Sequence, residues 1–166
     1  MLVGRTCPCY QRHRDSQDWT WQGNDEGEEF YEVLKPEAPD EGICEVALLL
    51  SVSASVGRDT VKAILGQDAI MYEIRSRAAP SPYFLRSRKQ LDVFGCEARQ
   101  LLTDMRDAQT QNRTVDLFAA VPAPIAIEFG RCLKPYGPPI RVYEYRKVDR
   151  TYVPALTVNP MVSQHC

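Results

Sequence analysis

The most informative hydrophobic pattern in the chain is a short, largely apolar run rich in β-formers, VDLFAA at 115–120 with Asp116 its one polar residue, followed at once by a helix-spaced run and a second strand segment, IRVYEY at 140–145. Continuous rather than alternating apolarity marks a strand covered on both faces. Pro122 and Pro124 end this strand and open a helix, because a ring that fixes φ and lacks an N–H is tolerated only in the first turn. Ile125, Ile127, Phe129, Cys132 and Leu133 give the helix a broad apolar surface until KPYGPP stops it from Lys134 onward. Strand, helix and strand within about thirty residues make a βαβ unit with a right-handed crossover.

The same reading extends upstream and downstream. Val46, Ala47, Leu48, Leu49 and Leu50 predict a buried strand over 45–50. A helix over 58–65 carries Val61, Ile64 and Leu65 on one side and stops at Gly66. Alternation around Ile70, Tyr72 and Ile74 predicts a strand over 68–75. Ser87 caps a long helix from about residue 88, with Leu91, Phe94, Ala98, Leu101, Leu102 and Met105 at helical spacing and an end before Asn112. Gly95 costs that helix some propensity and gives room for close packing. After Tyr145 the segment KVDR turns into a final strand over 151–158, antiparallel to its predecessor, and Pro154 argues for an edge position. This order predicts an α/β, Rossmann-like three-layer sandwich: a mainly parallel sheet with a C-terminal antiparallel edge hairpin.

Residues 43–160 make up that lobe, and 161–166 form a tail. Residues 1–42 are polar, acidic toward their end, and punctuated by Gly23, Gly27, Pro36 and Pro39. Trp19, Trp21, Phe30 and Tyr31 are more aromatic surface than a disordered tail carries. The stretch reads either as an arm that packs its aromatics or as a partly ordered linker. Within it, EEFYEVL at 28–34 suits a short strand or a helical turn equally.

Composition narrows the function classes. In 166 residues the net charge is −2 with both signs interspersed, which disfavours a non-specific grip on long nucleic acid. No apolar run is long enough to span a bilayer, and the N-terminus lacks the order of a signal peptide, so a cytoplasmic location is expected. Cys7 and Cys9 with His13 nearby supply three ligands where zinc takes four. Cys44, Cys96 and Cys132 lie in or beside predicted buried elements and read as small core hydrophobes. Cys166 is the last residue, and His165 has no partner in the sequence. No metal and no cofactor are therefore expected.

Candidate chemistry falls at the carboxyl ends of the strands, where the next helix points its amides and the positive end of its dipole. In the turn Ala120, Val121, Pro122, Ala123 and Pro124, with Phe118 just before it, small side chains let an anionic ligand approach the backbone. A close-packed turn without a ligand is the alternative. The absence of Gly-x-Gly-x-x-Gly and of a Walker lysine argues against ordinary dinucleotide or ATP binding. After the strand at 45–50, Ser51, Ser53 and Ser55 alternate with Val52 and Ala54, offering hydroxyls to an anion or, alternatively, to local backbone groups. Arg75, Arg77, Arg86, Arg88 and Lys89 surround Tyr83 and Phe84. Guanidinium groups pair with phosphates and rings stack on bases, so this loop suits an oligonucleotide, with Arg75 and Tyr83 as contacts. A solvated loop whose aromatics plug the core is the other outcome.

The run LFAAVPAPIAIEFGRCLKP followed by IRVYEY resembles the signature of SAVED domains, the sensor modules of bacterial anti-phage systems such as CBASS and type III CRISPR. The matching residues are Ala120, Pro122, Ala123, Glu128, Gly130, Arg131, Val142, Tyr143 and Glu144, and a weaker likeness extends back to about Cys44. The resemblance implies a CARF-like lobe that binds a cyclic di-, tri- or tetranucleotide and relays it to oligomerisation or to an effector. It also implies that the loop after 50 faces the nucleotide. Members of this family usually carry two such lobes and an effector; this chain has one clear lobe and no effector motif. Self-association, or a partner chain supplying the second lobe or the effector, is therefore expected. A ring-nuclease enzyme and a ligand-free assembly scaffold are the alternatives. Against the first, Glu128 and Arg131 sit one helical turn apart and pair with each other rather than forming a catalytic group.

Overall fold

The computed structural model describes residues 20–21, 29–36, 44–110, 113–134 and 137–158. Its elements are β1 (Tyr31–Leu34), β2 (Val46–Ser51), α1 (Arg58–Leu65), β3 (Ile70–Ser76), α2 (Arg88–Met105), β4 (Val115–Ala120), α3 (Ala123–Cys132), β5 (Ile140–Arg146) and β6 (Thr151–Val158). A π-helical turn, Arg106–Thr110, extends α2. One six-stranded sheet runs in the order β1-β3-β2-β4-β5-β6. All six residues of β2 are buried, as its unbroken apolarity requires, and β2 pairs in parallel with β3 on one side and β4 on the other. β4 and β5 are also parallel, whereas β1 and β6 are antiparallel edge strands. The predicted parallel sheet with a terminal hairpin is therefore present.

Sequence left 28–34 open between strand and helical turn. Residues 31–34 are the strand β1, paired with β3 from Tyr31 opposite Ser76 to Leu34 opposite Glu73. The sheet thus reaches back before residue 43. Trp21 and Phe30 pack on the core and Tyr31 belongs to it, so these aromatics of the early chain do pack. Trp19, Cys7, Cys9, His13 and the residues after Val158 lie outside the described residues.

Two helices cover one face of the sheet and one covers the other. Leu91, Phe94, Ala98, Leu101 and Met105 form the buried stripe of α2, and Ile125, Phe129 and Cys132 that of α3, both in one cluster with Leu48, Ile74 and Leu117. On the opposite face Val61 of α1 meets Ala47, Leu49, Met71 and Phe118. Ile127, expected on the apolar surface of α3, is 49% exposed, and Cys96, expected inside, points outward from α2. Ser87 caps α2 in a reciprocal box: its hydroxyl accepts from Gln90 N–H, and the Gln90 amide oxygen accepts from Ser87 N–H, both at 3.2 Å. Gly66 ends α1 at φ 110°, a conformation open to glycine. On β6, Pro154 faces Tyr143 while Leu156 faces Val142, so Ala155 is an extra residue that bulges the strand.

Burial raises the hydroxyl pKa of Tyr31, Tyr72, Tyr143 and Tyr152 above the ordinary 10.0. The folded chain holds these protons to higher pH than the unfolded chain does. Their contribution to stability is therefore complete below pH 10.0 and is lost as pH rises beyond it. An alkaline titration should show unfolding by circular dichroism together with the rise of tyrosinate absorbance. Full tyrosinate absorbance with an intact fold would contradict this.

Candidate functional site

From β2 the chain passes to β3 on one side and then to β4 on the other, so the crevice in which a sheet of this kind collects ligands falls beyond the ends of β2 and β4. Main-chain bonds occupy that crevice. Val52 N–H and Ser53 N–H both donate to the Ala120 carbonyl, at 3.1 and 2.7 Å, and Ser81 N–H donates to the Val52 carbonyl at 3.1 Å. These bonds bring the loops after β2, β3 and β4 together. The first turn of α3 is similarly short of donors. Pro122 and Pro124 have no N–H, and Ile125 and Ala126 donate to the Pro122 carbonyl at 3.0 and 3.2 Å. Among the described residues, Ala123 N–H is the one amide of that turn not drawn into a backbone bond. The proline pair that announces the helix also removes most of its capacity to hold an anion.

The opening lies one strand over, between the ends of β2 and β3. A cleft of about 370 Å³ is lined there by Ser51, Ser55, Arg58, Glu73, Arg75 and Arg77, among others. Its floor is the Glu73 carboxylate, 5% exposed, which accepts from the Ser51 hydroxyl at 2.7 Å and from Arg58 at 3.2 Å. The Ser51 oxygen in turn accepts from Val56 N–H at 3.2 Å, which shapes the loop after β2. Three guanidinium groups stand around this floor, with the side chains of Arg58, Arg75 and Arg77 exposed by 47%, 46% and 50%. Arg75 is paired with Glu32 and Arg77 with Glu29, each at 2.7 Å.

A second cleft, of about 350 Å³, adjoins the first across Ala78 and Ala79 and is lined by Phe30, Tyr83, Phe84 and Arg86. The two aromatics of this loop divide between the two roles the sequence allowed. Phe84 turns inward, edge-on to Tyr31 at 5.4 Å, while Tyr83 is 45% exposed.

Of the residues expected to meet a ligand, Ser53, Ala54, Ser55, Arg75, Tyr83, Ala120, Val121, Pro122 and Ala123 reach the surface wholly or in part. Ser55 and Arg75 line the first cleft and Tyr83 the second. Val52, Phe118 and Pro124 instead have buried side chains. Phe118 stacks on Tyr143 at 4.4 Å and meets Tyr152 edge-on at 5.1 Å, because a strand covered on both faces turns no side chain outward. Ser51 is in the cleft, but its hydroxyl is committed to Glu73. Sequence reasoning missed Arg58, Glu73, Glu29 and Glu32. The one local signal was Glu73 itself, an acid amid the apolar residues of β3.

The Glu-x-Gly-Arg stretch of α3 joins two helices. Glu128 pairs with Arg131 at 3.3 Å, as its spacing predicted, and with Arg99 of α2 at 3.6 Å. Gly95 permits this approach, since a Cβ there would lie 2.8 Å from Glu128 Oε1. Burial also pushes the Cys132 thiol pKa up, and that thiol donates to the Glu128 carbonyl at 3.2 Å.

Comparison with known proteins places the fold. The chain resembles the Acinetobacter baumannii Cap4 SAVED/CARF-domain containing receptor with the cyclic trinucleotide 2'3'3'-cAAA, at TM-score 0.63 and 17% identity over 84% of this chain and 29% of that one. The same receptor with 3'3'3'-cAAA gives 0.60 and 19% over 81% and 28%. The receptor described without a nucleotide gives 0.52 and 16% over 74% and 27%. The likeness is one of fold, and this chain spans less than a third of the receptor's length. No curated protein matches it in sequence. Residues 5–158, however, match the profile described as the SMODS-associated and fused to various effectors sensor domain, and the chain belongs to that family, SAVED.

Proposed function

We propose that this chain binds a cyclic oligonucleotide across the two adjoining clefts and relays its presence to assembly or to an effector in anti-phage defence. The observation that carries the reading is the chemistry of the mouth. In a SAVED chain, three half-exposed arginines and an exposed tyrosine stand together at the carboxyl ends of β2 and β3. Guanidinium groups donate to phosphate oxygens in bidentate fashion, and a tyrosine ring gives a base a face to stack on. Ser55 lines the first cleft, and its loop is tied to the turn after β4 by the bonds from Val52 and Ser53 N–H to the Ala120 carbonyl.

Binding without cleavage is part of this reading. Glu128 is bound to both Arg131 and Arg99, and it lies about 7.5 Å along α3 from the helix's first residue, away from the mouth. Glu73 is buried and held by Ser51 and Arg58. A second lobe, supplied by another copy or by a partner chain, would close the pocket, in keeping with the larger receptors that share the fold. Among the described residues no helix is long and apolar enough to cross a membrane, which fits a sensor acting in the cytoplasm.

Calorimetric titration against cyclic di-, tri- and tetranucleotides tests the reading, and no heat from any of them removes it. Chromatography of the nucleotide after long incubation should return it intact. Tyr83→Ala should weaken binding by roughly 5- to 150-fold, the loss of about 1–3 kcal/mol of stacking on one base. Unchanged affinity would take Tyr83 out of the site.

A further inference from the structure

We infer that Arg75 and Arg77 are phosphate-binding groups held under guard by carboxylates of the chain's own edge strand, so that an arriving phosphodiester displaces Glu32 and Glu29 and releases β1. This rests on the cyclic-oligonucleotide reading of the mouth. The two arginines, two residues apart at the end of β3, face the same cleft. Their partners come from β1 and the residues just before it, with Glu32 opposite Arg75 in the register and Glu29 beside Arg77. Arg58 differs, because its partner Glu73 is buried and also bound to Ser51, which makes that pair part of the floor. Glu32 and Glu29 have side chains 37% and 68% exposed, so their pairs are the weak, exchangeable kind. While they stay in place, their negative charge opposes any anion entering the cleft. A phosphodiester offers the same guanidinium groups an equal or better two-point partner.

The strand that would be released has a single partner in the sheet, and besides its side-chain ties to the arginines it is held by Tyr31 in the core and by the neighbouring Lys35–Asp104 pair at 2.6 Å. β1 is four residues long and pairs with β3 alone, the Arg77 N–H bond to the Phe30 carbonyl at 3.0 Å being its last main-chain tie. The Tyr31 hydroxyl is buried and has no hydrogen-bond partner among the described residues. When Arg75 and Arg77 turn to phosphate, β1 loses two side-chain ties at once. Binding and strand release are then one coupled equilibrium, and the coupling is reciprocal. Removing the guarding carboxylates must tighten binding, and ligand must loosen β1.

The test uses the full chain and the E29Q/E32Q variant, with folding checked by thermal melt. Against a cyclic nucleotide bound by the unaltered protein, E29Q/E32Q should bind roughly five- to tenfold more tightly, about the worth of two exposed pairs. R75A/R77A should bind at least about tenfold more weakly. Hydrogen exchange at residues 31–34 should quicken when nucleotide is added. Nucleotide binding with no gain in E29Q/E32Q overturns the guard and leaves the sensor reading standing. If no cyclic nucleotide binds, the sensor reading fails, and inorganic pyrophosphate decides the guard alone. Faster exchange at 31–34 that is absent in R75A/R77A supports it, and no change in exchange overturns it.

Discussion

Arg141→Met should destabilise the chain by about 3–5 kcal/mol, read as a lowered urea midpoint at unchanged slope. Asp116 on β4 is 0% exposed and stands opposite Arg141 of β5 in the sheet register. The guanidinium grips both carboxylate oxygens, Nε on Oδ1 and Nη2 on Oδ2, the latter at 2.9 Å. That hydrogen bonding raises the Arg141 pKa further, so the guanidinium stays charged at any working pH. Taking away the arginine leaves an uncompensated carboxylate in the sheet. Taking away the acid is milder, because the Arg141 side chain is 36% exposed and keeps some water, so Asp116→Asn should cost about 1–3 kcal/mol. Replacing both, as D116V/R141M, should recover most of the loss, since an apolar pair leaves nothing unpaired. Equal costs for the two single changes, or no recovery in the double, would contradict this account.

Phe94→Ala should cost about 3–5 kcal/mol, from lost burial and from the cavity left behind. Phe94 is 0% exposed on α2, and its ring meets Tyr31 edge-on at 5.6 Å. Tyr31 also leans on Phe84, so these three rings pin β1 to the helix layer and to the loop after β3. The loss should therefore be uneven: amide exchange at 31–34 should rise further above wild type than exchange at 46–51 in the central strand. A uniform rise would mean that Phe94 supports the whole core and not β1 in particular.

Long apolar runs and helix punctuation made most of the fold readable, because burial on both faces and a 3.6-residue period are properties of a single segment. β2, β4 and the stripe of α2 are of this kind. β1 was ambiguous for a physical reason: its acids look like solvated residues until Glu32 is seen against Arg75, 43 positions away. Ser55 and Arg75 do line a cleft at the carboxyl ends of the strands and Tyr83 lines its neighbour, whereas Phe118 and Val52, close to the same turns in sequence, are buried because proximity to a turn is not exposure. The turn after β4 looked receptive because its side chains are small. What determines its capacity is where its amides point, and Ala120 and Pro122 carbonyls receive the amides that would otherwise face a ligand.

The outermost strands bear on how copies of this molecule meet. An open sheet edge invites a sibling chain to continue the ribbon, and a dormant sensor that zipped up in this way would fire or precipitate unprompted. Here Pro154 has no amide to offer a newcomer, the kink at Ala155 turns the border away, and the opposite border is only four residues long. Any contact between copies of this lobe is therefore expected to run through its helices and loops and not through the borders of the sheet.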